Sequence, residues 1–204
     1  SENMKLPKEL QGETPPLGWY LSEKYDGYRG RYIHKDKQFL SRAQKPFNAP
    51  DWFKSAMIHN HDLDGELWVG RDNFQDMGVV RKKDPIPEEW LNIKYVVYDL
   101  PEYDIPFEER IQKLESIVSE SKDVWDISKS ELPTFLCGTE YPLVFTAQIV
   151  VESIEHMEHI YQDILSNGGE GVMIKDPVSL YEDKRSNYML KYKPCFDAEA
   201  IIID

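Results

Sequence analysis

Residues 19–24 and 28–34 both read as strands, and only Tyr25-Asp26-Gly27 lies between them. So short a link, carrying an Asp-Gly pair, predicts an antiparallel hairpin and commits the start of the chain to β-structure. Taken alone, Glu23-Lys24-Tyr25-Asp26-Gly27-Tyr28-Arg29-Gly30 reads as a surface turn, since lysine and arginine commonly flank such turns. The same residues also allow chemistry. A lysine amine acts as a nucleophile when its surroundings keep it unprotonated, an arginine neutralises phosphate charge, and a glycine lets backbone approach a ligand.

The rest of the chain continues in short strands with a few helices. A strand is expected at residues 38–41, and Pro50-Asp51 opens a short helix carrying Trp52, Phe53 and Met57. Residues 63–69 form a buried strand with Asp64 and Glu66 on one face, and residues 93–99 form the clearest strand. Pro106 starts an amphipathic helix whose Phe107, Ile111, Leu114, Ile117 and Val118 face a core. After a strand at residues 143–147, Ser153 begins a second helix with Ile154, Met157, Ile160, Tyr161 and Ile164 inward, closed by Asn167-Gly168-Gly169. Strands at residues 171–174, 188–192 and 198–203 complete a strand-rich α+β fold without internal repeats. The 204 residues suffice for one domain with a single core, burying roughly 70% of the unfolded surface.

The formal net charge of −13 opposes a simple polyanion binder. The charge is uneven, however. Acid dominates residues 102–163, whereas Arg29, Arg31, Lys35, Lys37, Arg42, Lys45, Arg81-Lys82-Lys83, Lys184, Arg185, Lys191 and Lys193 are basic. A basic face on an acidic body still steers a polyanion. No run reaches the ~18 apolar residues of a membrane span, and residues 1–18 lack the apolar core of a signal peptide. The expected setting is therefore intracellular, whether nuclear, cytoplasmic or viral. Cys137 and Cys195 match no zinc spacing and are expected to be reduced. His59-Asn60-His61 and the pair His156 and His159 lack neighbouring ligands in sequence and are read as solvated or packing residues. No Gly-x-x-x-x-Gly-Lys-Ser/Thr motif is present, which disfavours a P-loop ATPase.

Six segments follow one another in a fixed order: Lys24-Tyr25-Asp26-Gly27-Tyr28-Arg29, Ser41-Arg42, Asp64-Gly65-Glu66-Leu67-Trp68, Tyr95-Val96-Val97-Tyr98-Asp99, Glu170-Gly171-Val172-Met173-Ile174-Lys175 and Leu190-Lys191-Tyr192-Lys193. Together they resemble the covalent nucleotidyltransferases, the superfamily of ATP-dependent DNA ligases, RNA ligases and capping enzymes. Longer phrases such as Ala49-Pro50-Asp51-Trp52-Phe53 and Tyr98-Asp99-Leu100-Pro101 are most similar to small bacterial-type ATP-dependent DNA ligases. The resemblance runs from about Leu17 to Asp204. It implies an α+β nucleotidyltransferase fold (ATP-grasp-like ligase adenylation domain) with antiparallel sheets flanked by helices.

The resemblance also implies a mechanism. Lys24 takes AMP from ATP, passes it to the 5′-phosphate of nicked duplex DNA, and supports strand sealing in DNA repair, replication or recombination. Glu66 is implied to bind the ribose, Tyr98 and Val172 to enclose the purine, and Glu170 to hold Mg²⁺. Arg29, Arg42, Arg185, Lys191 and Lys193 are implied to contact phosphate. Ser22 stands where the family commonly has an acidic or polar contact to the adenine edge, with Glu23 beside it. Residues 1–17 are expected as a lead-in and 18–197 as the nucleotidyltransferase domain. Residues 198–204 are expected as the start of an OB-type barrel missing from this sequence, and the working chain as a monomer. An RNA ligase, a capping guanylyltransferase and a non-catalytic DNA-end-binding module are the competing readings.

Overall fold

The expected hairpin does not form. A computed structural model describes residues 16–182, together with the backbone of Met189–Pro194 and Ala200–Ile203. Its elements run β1 (Tyr20–Lys24), β2 (Tyr28–Ile33), β3 (Gln38–Leu40), β4 (Pro46–Phe47), α1 (Asp51–Ser55), β5 (Leu63–Trp68), β6 (Lys94–Asp99), α2 (Phe107–Ser128), β7 (Leu143–Phe145), β8 (Ile149–Val150), α3 (Ile154–Ser166), β9 (Gly171–Lys175), β10 (Met189–Pro194) and β11 (Ala200–Ile203). Strands β1 and β2 belong to different sheets. Each finds its partners elsewhere, β9 and β8 for β1 and β5 and β3 for β2, and the backbone agrees, since neither Asp26 nor Gly27 has the positive φ of a two-residue hairpin turn. Gly27 serves close approach instead, because a Cβ there would lie 2.0 Å from the Leu67 carbonyl oxygen.

The chain divides into two compact units, one built from residues up to Tyr25, from Asp104–Glu109 and from Thr146 onward, the other from Asp26–Tyr103 and Arg110–Phe145. Instead of the single expected core, the described residues form two apolar clusters.

In the first unit the strand order is β11-β10-β9-β1-β8, with every pair antiparallel. Helix α3 starts where Ser153 predicts, its Oγ accepting the His156 N–H at 3.0 Å. His156 returns the contact, its Nδ1 accepting from the Glu152 N–H, so this histidine belongs to the helix start. Met157, Tyr161 and Ile164 pack with Leu21, Val172 and Ile174, and the helix ends at Asn167. The segment before α2 also belongs here. Phe107 and Glu108 donate their backbone N–H groups to the carbonyls of Ser179 and Pro177, satisfying donors that a helix start leaves unpaired. Lys175 lies 4.6 Å from the centre of the Phe107 ring.

In the second unit the order is β4-β3-β2-β5-β6-β7. All pairs are antiparallel except β6 and β7, whose connection through α2 is long enough for a parallel return. Leu114, Ile117 and Val118 of α2 join Phe39, Phe53, Leu67, Trp90 and Tyr95 in the larger core, as the helical stripe predicts. The buried Tyr95 hydroxyl stands 2.6 Å from the Gly30 carbonyl and accepts the Tyr32 N–H, tying β6 to β2. Two 3-10 stretches, Phe74–Arg81 and Pro87–Trp90, fill a region where the sequence shows no period. No helix among the described residues is long and apolar enough to cross a membrane. Cys137 is free and exposed, and Cys195 lies outside the described residues.

One half-buried imidazole in this unit carries a pH signature. Burial, followed by repulsion from His61 and His34, lowers His59 from 6.5 to about 4. The unfolded chain therefore binds a proton near pH 6.5 that the folded chain refuses until about pH 4. This contribution is intact above that window and declines as pH falls through it, by at most about 3 kcal/mol. Urea melts at pH 7 and pH 4.5 should show a smaller acid loss for His59→Gln than for the parent. Equal losses would show that His59 does not titrate in this way.

Candidate functional site

The sequence motifs settle in two groups, one in each unit. In the first, β1 lies against β9 with Ser22 opposite Met173, Glu23 opposite Val172 and Lys24 opposite Gly171. This register brings the end of β1 beside the start of β9, so that Lys24 Nζ meets Glu170 Oε1 at 2.5 Å. Both side chains remain partly open, at 28% and 37% exposure. On the other side of β9, Lys191 pairs with Met173 and Tyr192 with Val172. Ser22, Met173 and Lys191 thus form one cross-strand row of backbone positions. Ser22 is nearly buried, and Val172 is fully buried within the smaller core. The side chains of Lys191 and Lys193 lie outside the described residues, as does all of Arg185.

In the second unit, Glu66 Oε2 accepts the Gly27 N–H at 3.2 Å. Arg29 stands opposite Glu66 in the β2–β5 register. Its Nε and guanidinium NH₂ reach the two oxygens of Asp64 at 3.1 and 2.7 Å, a bidentate fork. Gly65, between the two acids, is enforced by a register shift at Asp64/Gly65, where a Cβ would lie 2.4 Å from the Val96 carbonyl oxygen. Tyr98 is close enough to feel both acids. Desolvation first, then Asp64 and Glu66, hold its phenol well above the ordinary range, so it stays neutral.

This unit also presents a basic cleft of about 170 Å³, lined by Ser41, Lys45, Phe47, Arg81 and Lys82 among others. The Arg81 guanidinium lies 4.6 Å from the centre of the Tyr28 ring. Arg42, next to Ser41, is exposed.

The structure therefore brings Lys24 to Glu170, and Arg29, Glu66 and Tyr98 to one another. Sequence reasoning passed over Asp64 as a site residue, although its place two positions before Glu66 puts both acids on one strand face. Each group has a chemical use. A paired lysine and carboxylate can exchange a proton or a ligand, while an arginine fork, a glutamate and a neutral phenol can hold a polar heterocyclic ligand.

Comparison with known proteins bears on the family and the fold. The chain is 28% identical over 189 residues to a DNA ligase of Haemophilus influenzae, covering 93% of this chain and 63% of that protein. It is 35% identical over 205 residues to DNA ligase 2 of Methanosarcina mazei, covering 88% of this chain and 33% of that protein. The chain thus spans less than two thirds of these relatives. Among solved structures, it is similar to a Lig E DNA ligase, with a TM-score of 0.69 at 21% identity, over 94% of this chain and 68% of that one. A Chlorella virus DNA ligase-adenylate gives a TM-score of 0.66 at 19% identity, over 94% of this chain and 67% of the viral one. These neighbours share the nucleotidyltransferase fold of mixed helices and antiparallel sheets. With a family model matched over residues 3–193, the chain belongs to the ATP dependent DNA ligase domain family.

Proposed function

We propose that this chain is the adenylylating part of an ATP-dependent DNA ligase, with Lys24 as its covalent nucleophile. The observation that carries this reading is the ion pair between Lys24 and Glu170 at the joined ends of β1 and β9. It selects one lysine, held beside one carboxylate, within a chain of the ligase family. In the proposed step the Lys24 amine, having lost its proton, attacks the α-phosphorus of ATP. A P–N bond forms, the bond to the β-phosphate oxygen breaks, and pyrophosphate leaves. A 5′-phosphate oxygen at a nick in duplex DNA then attacks the same phosphorus, the P–N bond breaks, and the Lys24 amine leaves as AMP passes to the DNA end.

Glu66 accepts hydrogen bonds from the ribose hydroxyls, Tyr98 stacks on the purine, and Ser22 or Glu23 supplies the adenine-edge contact; Val172, wholly buried in the smaller core, takes no part in this reading. Arg29, Arg42, Arg185, Lys191 and Lys193 neutralise phosphate charge. The basic cleft at Lys45, Arg81 and Lys82 supports a polyanionic substrate despite the acidic total. The relatives' names favour DNA, and fold neighbours were solved as a ligase-adenylate and in complex with ATP.

The donor set around Glu170 fits Mg²⁺ carried with a nucleotide. Among the described residues Glu170 belongs to no group of three potential protein ligands, and Mg²⁺ characteristically takes one or two carboxylates with phosphates and water. Bound there, the metal supplies charge neutralisation at the phosphates. Glu170, paired here with Lys24, would be the residue that holds the ion. Glu170→Ala should slow self-adenylylation roughly 10²-fold, about 2.7 kcal/mol of transition-state stabilisation. A normal rate across a Mg²⁺ titration would remove Glu170 from the mechanism.

The whole reading is tested with α-labelled nucleotides followed by nicked duplexes of DNA, RNA and mixed strands. Label from ATP should enter the protein and move to the 5′-phosphate of the DNA nick. Labelling by GTP in place of ATP, or transfer to RNA nicks but not DNA nicks, would overturn it.

A further inference from the structure

The histidine triplet set aside in the sequence acquires neighbours in the fold. Strands β2, β5 and β6 are adjacent and antiparallel, so the residue after β2, the residue before β5 and the turn after β6 come together at one end of the sheet. Those positions hold His34, Asp62 and Glu102. One ligand atom from each lies within 4.8 Å of the others, and no other such triad occurs among the described residues. His34 Nδ1 is 2.7 Å from Asp62 Oδ1 and 3.6 Å from Glu102 Oε1.

Backbone donors fix both carboxylates. Asp62 Oδ1 accepts the His34 N–H at 2.9 Å, and Glu102 Oε1 accepts the Asp62 N–H at 2.6 Å. The surrounding shell is also imidazole-rich. His61 Nδ1 stands 3.0 Å from the Tyr103 hydroxyl, and the His61 N–H is donated to His59 Nδ1. His59 Nε2 is buried with no hydrogen-bond partner among the described residues, an orphan in this polar corner.

We infer that His34, Asp62 and Glu102 form a binding site for a divalent transition-metal ion of the zinc class, separate from the nucleotide chemistry of Lys24 and Glu170. One imidazole nitrogen with two carboxylate oxygens is a mixed donor set that favours such ions over Mg²⁺, with water completing the coordination. Three points argue for a metal over an ordinary ion pair. The donors come from three separate strand ends, each carboxylate is pre-oriented by a backbone N–H, and a single imidazole lies beside two acids. The ion takes the place of the contact between His34 Nδ1 and Asp62 Oδ1, with the ring proton carried on Nε2. By joining three strand ends, the bound ion stabilises the folded unit through mass action.

The test uses the 204-residue protein in buffer containing excess Mg²⁺ but no nucleotide. Zn²⁺ binding is followed by equilibrium dialysis, Co²⁺ ligation by its visible spectrum, and Tm by calorimetry. One Zn²⁺ should bind, raise Tm and resist displacement by Mg²⁺. His34→Ala and Glu102→Gln should each weaken binding by about 10-fold or more and abolish the Tm rise, whereas Glu170→Ala should leave both unchanged. Glu102 lies at the exposed rim, so its variant guards against a His34 variant that misfolds. Failure of the parent to bind micromolar Zn²⁺, or unchanged binding by the His34 and Glu102 variants, would overturn the assignment. Loss on Glu170→Ala would place the ion at the nucleotide site instead.

Discussion

Lys24→Ala should show no AMP adduct in its intact mass after incubation with ATP and Mg²⁺, while the parent protein gains one. Protein as purified can already carry AMP, so both proteins are first treated with pyrophosphate, which reverses the reaction. The expected loss is at least roughly 10⁴-fold, or about 5.5 kcal/mol, because a covalent step cannot proceed without its nucleophile. Lys24→Arg supplies the sharper comparison. It keeps a cation for Glu170 to pair with, but a guanidinium is always protonated and does not attack phosphorus. It should therefore melt with the parent and remain as inactive as the alanine variant. An adduct that survives in either variant would move the nucleophile to another residue. Partial activity in Lys24→Arg would reduce Lys24 to a phosphate contact.

The contrast between Lys24 and its surroundings shows what the sequence could convey. The two helical stripes were legible because their periods are local: Leu114, Ile117 and Val118, and likewise Met157, Tyr161 and Ile164, are buried as their spacing predicts. The hairpin was misread because strand partners are not a local property. A strand, an Asp-Gly pair and another strand look alike whether the chain turns back or passes into a second sheet, and here Lys24 pairs with Gly171. The same limit hid the partners of charged groups. Nothing in the spacing links Arg29 to Asp64, or gathers His34, Asp62 and Glu102 at one sheet end. Lys24 and Glu170 could be singled out through family resemblance, but only the β1–β9 register accounts for their meeting.

The second large effect belongs to a pair that the sequence did not disclose. Asp64 and Asp99 are register partners across β5 and β6, and both are almost wholly buried. Two acids so placed repel each other unless each has its own cation. Arg29 serves Asp64, and Arg110 of α2, itself fully buried, serves Asp99 with its Nε 2.7 Å from Oδ1. Asp99 Oδ1 also accepts the Leu100 N–H at 2.7 Å. Arg110→Met keeps most of the side-chain volume but strands a buried carboxylate. It should cost about 3–5 kcal/mol, lowering Tm by roughly 10 °C for a protein of this size. Adding Asp99→Asn should restore a large share, since the amide oxygen can still accept from Leu100 and no uncompensated charge remains. Urea melts of the parent, the two single variants and the double variant give the coupling directly. If Arg110→Met melts with the parent, the buried pair contributes no stability and Asp99 must find its compensation elsewhere. If the double variant is no better than Arg110→Met alone, the loss comes from the packing of the arginine rather than from the stranded charge.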